Sequence, residues 1–347
     1  MAHNRSIFVE ILLFPLKLLG FILQIILFAG FIIGGWFFLQ TTGFFPVQVP
    51  VSGASMLPTL PEEGYVDFQR YIQDDRFQSI MPQQIKRGDI VVFENKQTED
   101  ELKKQDKEES GFVKRVIGVS GDSVVIRDGY VYVNNEPLVE PYIFKSRSTF
   151  GGANIQDCQD TTVPEGKLMV LGDNRKVSLD SRQIGLIDIK DVKYYIPYEK
   201  QPARFASKWR DSSHDLDAQN ESIFDVNQYV SLINKERSKN GLEPLVYQPK
   251  LEQSAKLRTD VMFKYNDLDY DAPKSGYTMK EAMADVGYSN ITYSEFHIVG
   301  YYDAQELFEA ILEQPNKTKF LYDADFDEIG VSTTVGSLNG CPVQIVV

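Results

Sequence analysis

Between Leu18 and Leu39 the chain reads LLGFILQIILFAGFIIGGWFFL, with Gln24 the only strongly polar side chain. At about 1.5 Å rise per residue such a run spans a hydrocarbon core of roughly 30 Å, so the pattern predicts a transmembrane helix. It exceeds the apolar stretch of a cleavable leader, about 7–15 residues, and is expected to stay as an anchor. Residues 6–17 carry Glu10, Pro15 and Lys17. They fit a segment lying at the cytoplasmic interface or a first short span. From Val47 to about Tyr198 the pattern changes to short β-branched and aromatic runs: IVVF (90–93), FVKRVIGV (112–119), SVVIRDGYVYV (123–133) and LMVLG (168–172). These predict a mostly antiparallel β domain, with Asp128-Gly129 as a two-residue hairpin turn. The polar stretch 96–111 offers nothing to a core and reads as an exposed loop. Beyond a polar linker the period becomes helical. Val226, Val230 and Ile233 share one face before an Asn240-Gly241 stop, and Leu251, Ala255 and Met262 form a second stripe. The chain closes on the strand-like runs EIGVSTTV and PVQIVV. The fold class is therefore multi-domain: an anchor (1–45), a mostly antiparallel β domain (46–200), a linker (201–224) and an α+β domain (225–347).

Composition narrows the functions available. The 347 residues carry a formal net charge of −13 and no basic run, which argues against nucleic acid as a partner. Arg5 and Lys17 precede the apolar run and no charge follows it in QTTGFFPVQVP. The positive-inside bias then gives a single-pass plasma-membrane protein with a cytoplasmic N-terminus and everything after residue 40 outside. Phe44 and Phe45 read as an interfacial aromatic belt in contact with lipid. Cys158 and Cys341 lack C-x-x-C spacing, which rules out a cysteine-built zinc or redox site and leaves two free thiols or one bridge. Histidine is scarce: His3, His214 and His297.

That scarcity disfavours a Ser-His-Asp site, since His3 falls on the cytoplasmic side and His214 in the linker. Two other serine patterns also fail: Gly53-Ala54-Ser55-Met56 is followed by Leu57 rather than glycine, and position 58 is proline rather than lysine. A serine activated by a distant lysine remains. Such a lysine must lose roughly 3 units from its usual pKa of about 10.4 to act as a base near neutral pH. Burial shifts an amine by up to about 3–5 units, and Phe112, Val113, Val116 and Ile117 supply an apolar setting for Lys114. Taken alone, Lys114 beside Arg115 reads as the solvent face of a strand.

SGASMLPTL (52–60), RGDIVVF (87–93), FVKRVIGVSGD (112–122) and GDNRKVSLDSRQIG (172–185) resemble, in order, the boxes of type I signal peptidases. With the anchor, the resemblance covers about residues 18–200. It implies a membrane-bound Ser/Lys endopeptidase that removes signal peptides from exported preproteins with Ala-x-Ala sites and needs no cofactor or metal. Ser55 would be the nucleophile and Lys114 its base. Ser178 would hydrogen-bond and orient the lysine, Asp180 and Arg182 would form a supporting ion pair, and Met56 would hold the nucleophile's turn. One departure stands at Gly53, where some relatives carry a hydroxyl that helps bind the oxyanion. Backbone N–H groups, including that of Ser55, would have to serve here.

YVSLINKERSKNGLEPLVYQPKLEQSAKLRTDVM (229–262), with the later segments ADVGYSNITYSEF and FDEIGVSTT, resembles SCP-like, or CAP, extracellular domains. That implies an α-β-α sandwich. Where many bacterial relatives carry two cavity histidines this chain has Tyr270 and Lys317, with Glu295 at the acidic position, so the usual metal cavity is not expected and His297 reads as structural. The domain reads as a binding module for an unidentified envelope partner. Two other readings stay open: a specialised processing protease whose CAP-like domain selects its partners, and an inactive anchor displaying that domain.

Overall fold

The computed structural model describes the chain except residues 1–18, 38–44, 81, 97, 101–110, 217–223, 290–291 and 313–318. The expectations for residues 6–17, Phe44 and Lys317 therefore lie outside the described residues. Helix α1 runs from Leu19 to Phe37, 19 residues, and its large apolar side chains are exposed. At about 1.5 Å per residue it is long enough to cross a hydrocarbon core. Phe45 packs tilted against Trp36 at 5.3 Å, joining the end of the helix to the folded part that follows.

That part is built on β1 (Val47–Ser52), β2 (Glu63–Arg70), β3 (Ile90–Phe93), β4 (Phe112–Val119), β5 (Ser123–Arg127), β6 (Tyr130–Val133), β7 (Glu136–Pro137), β8 (Thr161–Thr162), β9 (Lys167–Leu171), β10 (Ile187–Asp188) and β11 (Val192–Ile196). Seven of them form one antiparallel sheet in the order β1-β2-β11-β3-β4-β9-β10. The run IVVF explains why both faces are covered. Ile90 and Val92 enter a cluster with Val51, Met56, Phe68 and Phe205, while Val91 and Phe93 enter another with Val116, Leu168 and Val170. A smaller sheet, β7-β6-β5-β8, packs its Val124, Ile126, Val131 and Val133 against Ile117, Met169 and Leu171. Its hairpin turns at Asp128 (φ 52°) and Gly129 (φ 78°), the two positive φ values a type I′ turn requires.

Two expectations change. The polar stretch after β3 starts as a helical turn, in which Asn95 accepts from the Thr98 N–H at 3.0 Å and Thr98 is buried, so it is not a loop from its first residue. The beginning of the expected linker is folded onto the β domain. Gln201 is buried, Phe205 joins the core, and Trp209 stacks on Tyr198 at 6.0 Å. Two aromatic rings and a buried amide were enough to bring a polar-looking segment inside.

The C-terminal part carries α2 (Val226–Lys239), α3 (Pro249–Tyr265), α4 (Met279–Asp285) and α5 (Ala304–Leu312) around a three-stranded sheet of Ile298–Val299, Cys341–Val346 and Thr333–Leu338. Helices cover both faces. Ile233, Leu307, Phe308 and Ile311 pack with Val346 on one side, and Ala255, Met262, Met279 and Met283 pack with Val343 and Ile345 on the other. Asn240 caps α2 and Gly241 follows at φ 73°, the stop read from the sequence. Cys158, beside the smaller β sheet, is disulfide-bonded to Cys341. The open choice about the two thiols is settled in favour of one bridge.

A Cβ at Gly129 would lie 2.6 Å from the Arg147 carbonyl oxygen as well as meeting an unfavourable φ. Gly129→Ala is expected to destabilise the full chain by more than about 1 kcal/mol, read as a lowered unfolding midpoint in detergent. An unchanged midpoint would show the hairpin to be more pliable than its contacts imply.

Candidate active site

Val51 and Met56 anchor the two ends of a tight passage in the core. Between them Gly53 adopts φ 104°, and Ala54–Met56 form a single 3₁₀ turn. No L residue adopts that φ comfortably, so the hydroxyl that some relatives carry here would strain the turn. Met56 is 3% exposed and packs in the core at the end of the turn, leaving Ser55 half-buried at the surface.

Opposite stands β4. Side chains alternate across a strand, so Lys114 and Arg115 project to opposite faces. Since both faces are covered, both are buried, at 4% and 0% exposure. The solvent-facing reading of this dipeptide does not hold. Lys114 Nζ donates to Ser55 Oγ at 2.9 Å and to the Val113 carbonyl at 2.8 Å, with the Phe112 ring 5.2 Å away. Burial lowers its pKa to about 8, against the attraction of Asp180 and Asp173 and with a smaller push from Arg182.

The segment 172–185 closes the site. Asp180 caps a short helix, Ser181–Ile184, through a capping box with Gln183, and accepts from the Gly172 N–H at 3.0 Å. Arg182 grips the same carboxylate twice, at 2.8 and 2.9 Å. Burial alone would raise the Asp180 carboxyl, but Arg182 and the Gly172 N–H hold it below the usual range. The supporting pair is thus assembled. Arg182 also donates to the carbonyls of Arg175 at 2.6 Å, Phe150 at 3.2 Å and Ser178 at 3.3 Å.

Ser178, expected to orient the lysine, lies buried against Gly172. Its hydroxyl makes no bond to the Lys114 amine, which holds Ser55 and Val113, and it helps instead to keep the Asp180 carboxyl low. Packing explains the position: a Cβ at Gly172 would fall 2.2 Å from Ser178 Oγ and 2.5 Å from the Ser55 carbonyl oxygen, so glycine alone lets the two loops meet. The Asn174 N–H donates to that Ser55 carbonyl at 3.0 Å.

In the C-terminal part Glu295 is taken by Arg258 at 3.1 Å, and His297 lies beside Tyr270 with ring centroids 4.5 Å apart. Among the described residues no group of three or more His, Cys, Asp or Glu side chains is arranged to hold a metal ion.

Comparison with known proteins gives these residues a family. Residues 18–194 match the family described as signal peptidase, peptidase S26. The chain belongs to the signal peptidase S26 family. Its relatives include signal peptidase I of Bacillus licheniformis, 36% identical over 149 residues, 41% of this chain and 69% of that protein. Signal peptidase I V of Bacillus subtilis (strain 168) is 31% identical over 42% of this chain and 80% of its own length. A solved signal peptidase I from Enterococcus faecalis is 29% identical, covers 33% of this chain and 98% of its own, and superposes with a TM-score of 0.25. Residues 230–341 match the cysteine-rich secretory protein family, CAP. The chain is thus a signal peptidase, a peptide-bond hydrolase of exported preproteins, joined to a CAP domain.

This S26 peptidase depends on groups that sequence reasoning passed over. Arg115 and Asp173, both essentially inaccessible, form a bidentate pair at 2.7 Å for each bond. Gly88, Gln201 and Thr59 complete their hydrogen bonds. Arg175 pairs with the buried Glu140 and donates to Thr149 Oγ1 at 2.5 Å. Asp89, inside the RGD box, caps the backbone N–H groups of Lys86 and Tyr198, both at 2.8 Å, and burial lifts its pKa to about 6. The available signal was charge inside otherwise apolar boxes: KR in FVKRVIGV and D in RGDIVVF.

Removing one partner of a buried pair costs about 3–5 kcal/mol, because the other charge is left without compensation. Asp173→Asn is therefore expected to lower the denaturation midpoint of the full chain sharply, and Arg115→Met with Asp173→Leu to recover much of the loss. A double variant no better than the single would mean that the pair's geometry, rather than its charge balance, carries the stability.

Proposed function

We propose that Ser55 and Lys114 are the catalytic dyad and that the enzyme cuts preproteins after Ala-x-Ala sites at the outer membrane surface. The observation that carries this reading is the 2.9 Å bond from a buried amine, with its pKa lowered to about 8, to a serine hydroxyl at the surface of a tight turn. Neutral Lys114 takes the Ser55 proton as Oγ attacks the scissile carbonyl carbon, and the carbonyl π pair moves onto oxygen as the tetrahedral intermediate forms. Collapse breaks the C–N bond, and the Lys114 ammonium returns the proton to the leaving amine. Water, deprotonated by the same lysine, then hydrolyses the acyl ester and frees Ser55. Backbone N–H groups, that of Ser55 among them, receive the oxyanion, each worth about 3–4 kcal/mol in comparable sites. Ser178, buried against Gly172, fills the space between the two loops, excludes water from Lys114 and helps hold the Asp180 carboxylate. Asp180 and Arg182 hold the segment.

The reading places α1 across the plasma membrane in a single pass, with the N-terminus cytoplasmic. Support comes from its 19-residue apolar length and the charges confined to the chain before it. The extended substrate would add as a strand, with small pockets for the residues one and three before the cut. Assembly of Ser55, Lys114, Asp180 and Arg182 in one site weighs against an inactive anchor.

Ser55→Ala and Lys114→Ala are each expected to abolish cleavage of an Ala-x-Ala preprotein by the full chain in detergent, with no fall in unfolding midpoint large enough to explain it. For wild type, kcat/KM should rise with pH through about 8 as Lys114 loses its proton. The shift has a stability counterpart. Between about 8 and the ordinary 10.5 the unfolded chain binds more protons than the folded one, so stability gains with rising pH across that window. Retained activity in Lys114→Ala would move the base elsewhere.

A further inference from the structure

The CAP domain does not touch the β domain at random. The Tyr301 hydroxyl donates to Asp128 in the β hairpin, and the Arg147 guanidinium lies 3.8 Å over the Tyr301 ring. Phe150 stacks on Tyr301 at 6.0 Å and on Tyr302 at 6.3 Å, and its carbonyl is one of the acceptors of Arg182. Lys145 pairs with Asp303. Lys176, inside the GDNRKVS box, donates to Glu306 at 2.8 Å and to the Tyr301 carbonyl at 3.0 Å, and sits 3.9 Å over the Tyr302 ring. Its side chain is largely buried, although a lysine at a loop tip would ordinarily be solvated.

The turn that carries Lys176 is the one that braces the nucleophile. The Asn174 carbonyl accepts from the Val177 and Ser178 N–H groups, closing the turn, while the Asn174 N–H holds the Ser55 carbonyl. Glu306 is itself fixed. It accepts from the Asp303 N–H at 3.1 Å, Asp303 accepts from the Glu306 N–H at 2.8 Å, and this reciprocal cap rigidifies the start of α5. A continuous run of bonds thus leads from α5 through Lys176 and Asn174 to Ser55. The Cys158–Cys341 bond also ties the two domains together.

We propose that the CAP domain is a built-in positioning element of this peptidase: Glu306 and the Tyr301 carbonyl hold Lys176, Lys176 holds the Asn174–Ser178 turn against Ser55, and the disulfide keeps the brace engaged. Lys176 is a positioning residue, and the inference rests on Ser55 being the nucleophile. If the brace loosens, the Ser55 peptide loses its fixed orientation and water gains access to Lys114. The charged groups acting on that amine are Asp180, Asp173 and Arg182, and the last of these also bonds carbonyls of the braced turn.

The test compares full-length wild type, Lys176→Met, Glu306→Gln, the exchanged pair Lys176→Glu with Glu306→Lys, and Cys158→Ser with Cys341→Ser, all in detergent. Cleavage kinetics of an Ala-x-Ala preprotein across pH are measured beside hydrogen exchange of residues 172–180. The single variants should lose about tenfold in kcat with KM within twofold, shift the activity limb to higher pH, and exchange faster at 172–180. The exchanged pair should recover part of each, and the cysteine variant, or wild type under mild reduction, should follow the single variants. Exchange at wild-type rates in both single variants overturns the brace, and so does a wild-type kcat and limb. A variant that fails to fold is replaced by reduced wild type, which starts folded. Absence of Ser55-dependent cleavage in wild type would instead refute the dyad, while the exchange data still decide whether the CAP domain holds the turn.

Discussion

A charged amine is expensive to bury, and the site is organised around leaving Lys114 poorly compensated. Two carboxylates act on it, Asp180 and Asp173, and either one free would pull its pKa back toward the ordinary lysine value. Neither is free. Asp180 is held by two bonds from Arg182 and Asp173 by two from Arg115, and the Arg182 guanidinium itself pushes the amine's pKa down against the two acids. Desolvation therefore wins, and Lys114 keeps a lone pair at a pH where a surface lysine would have none. Arg182 thus protects a proton acceptor as well as a fold.

The same economy governs the backbone. Ser55 must be accessible to a peptide while its turn stays rigid, and the two demands are met from opposite sides. Gly53 supplies a positive φ that lets the chain leave β1 abruptly, and Met56 plants the far side of the turn in the core. Gly172 lets the second loop approach until Asn174 reaches the Ser55 carbonyl. Any side chain at 172 would separate the loops by displacing Ser178 or Ser55, so the glycine of GDN is a steric necessity.

What could be read from the sequence depended on whether the responsible interaction was periodic. The strand runs, the Asp128-Gly129 turn, the Asn240-Gly241 stop and the apolar anchor are local patterns, and the elements follow them. The boxes brought Ser55, Lys114, Asp180 and Arg182 together on paper because their order along the chain marks the family. Long-range polar closure was illegible. Nothing local to Arg115 indicates that Asp173, Gln201 and Gly88 will complete its hydrogen bonds from three distant segments. Nothing near Gln201 shows that a linker-like stretch will be drawn inside by Phe205 and Trp209. For Ser178, motif position fixes which loop a hydroxyl sits on, not which neighbour it bonds.

Domain coupling follows from counting constraints. A domain attached only through the chain that enters at Phe224 could pivot about that point, and a short interface of one aromatic stack and a few ion pairs would be a weak restraint on its own. The disulfide, between cysteines 183 residues apart in sequence, adds a second attachment and restricts that pivoting. The rings of Tyr301 and Tyr302 against Phe150 oppose rotation, since turning the domain would unstack both contacts at once. With the domain held at several points, even a modest bond such as that from Lys176 to Glu306 transmits position, because its partner is already kept close.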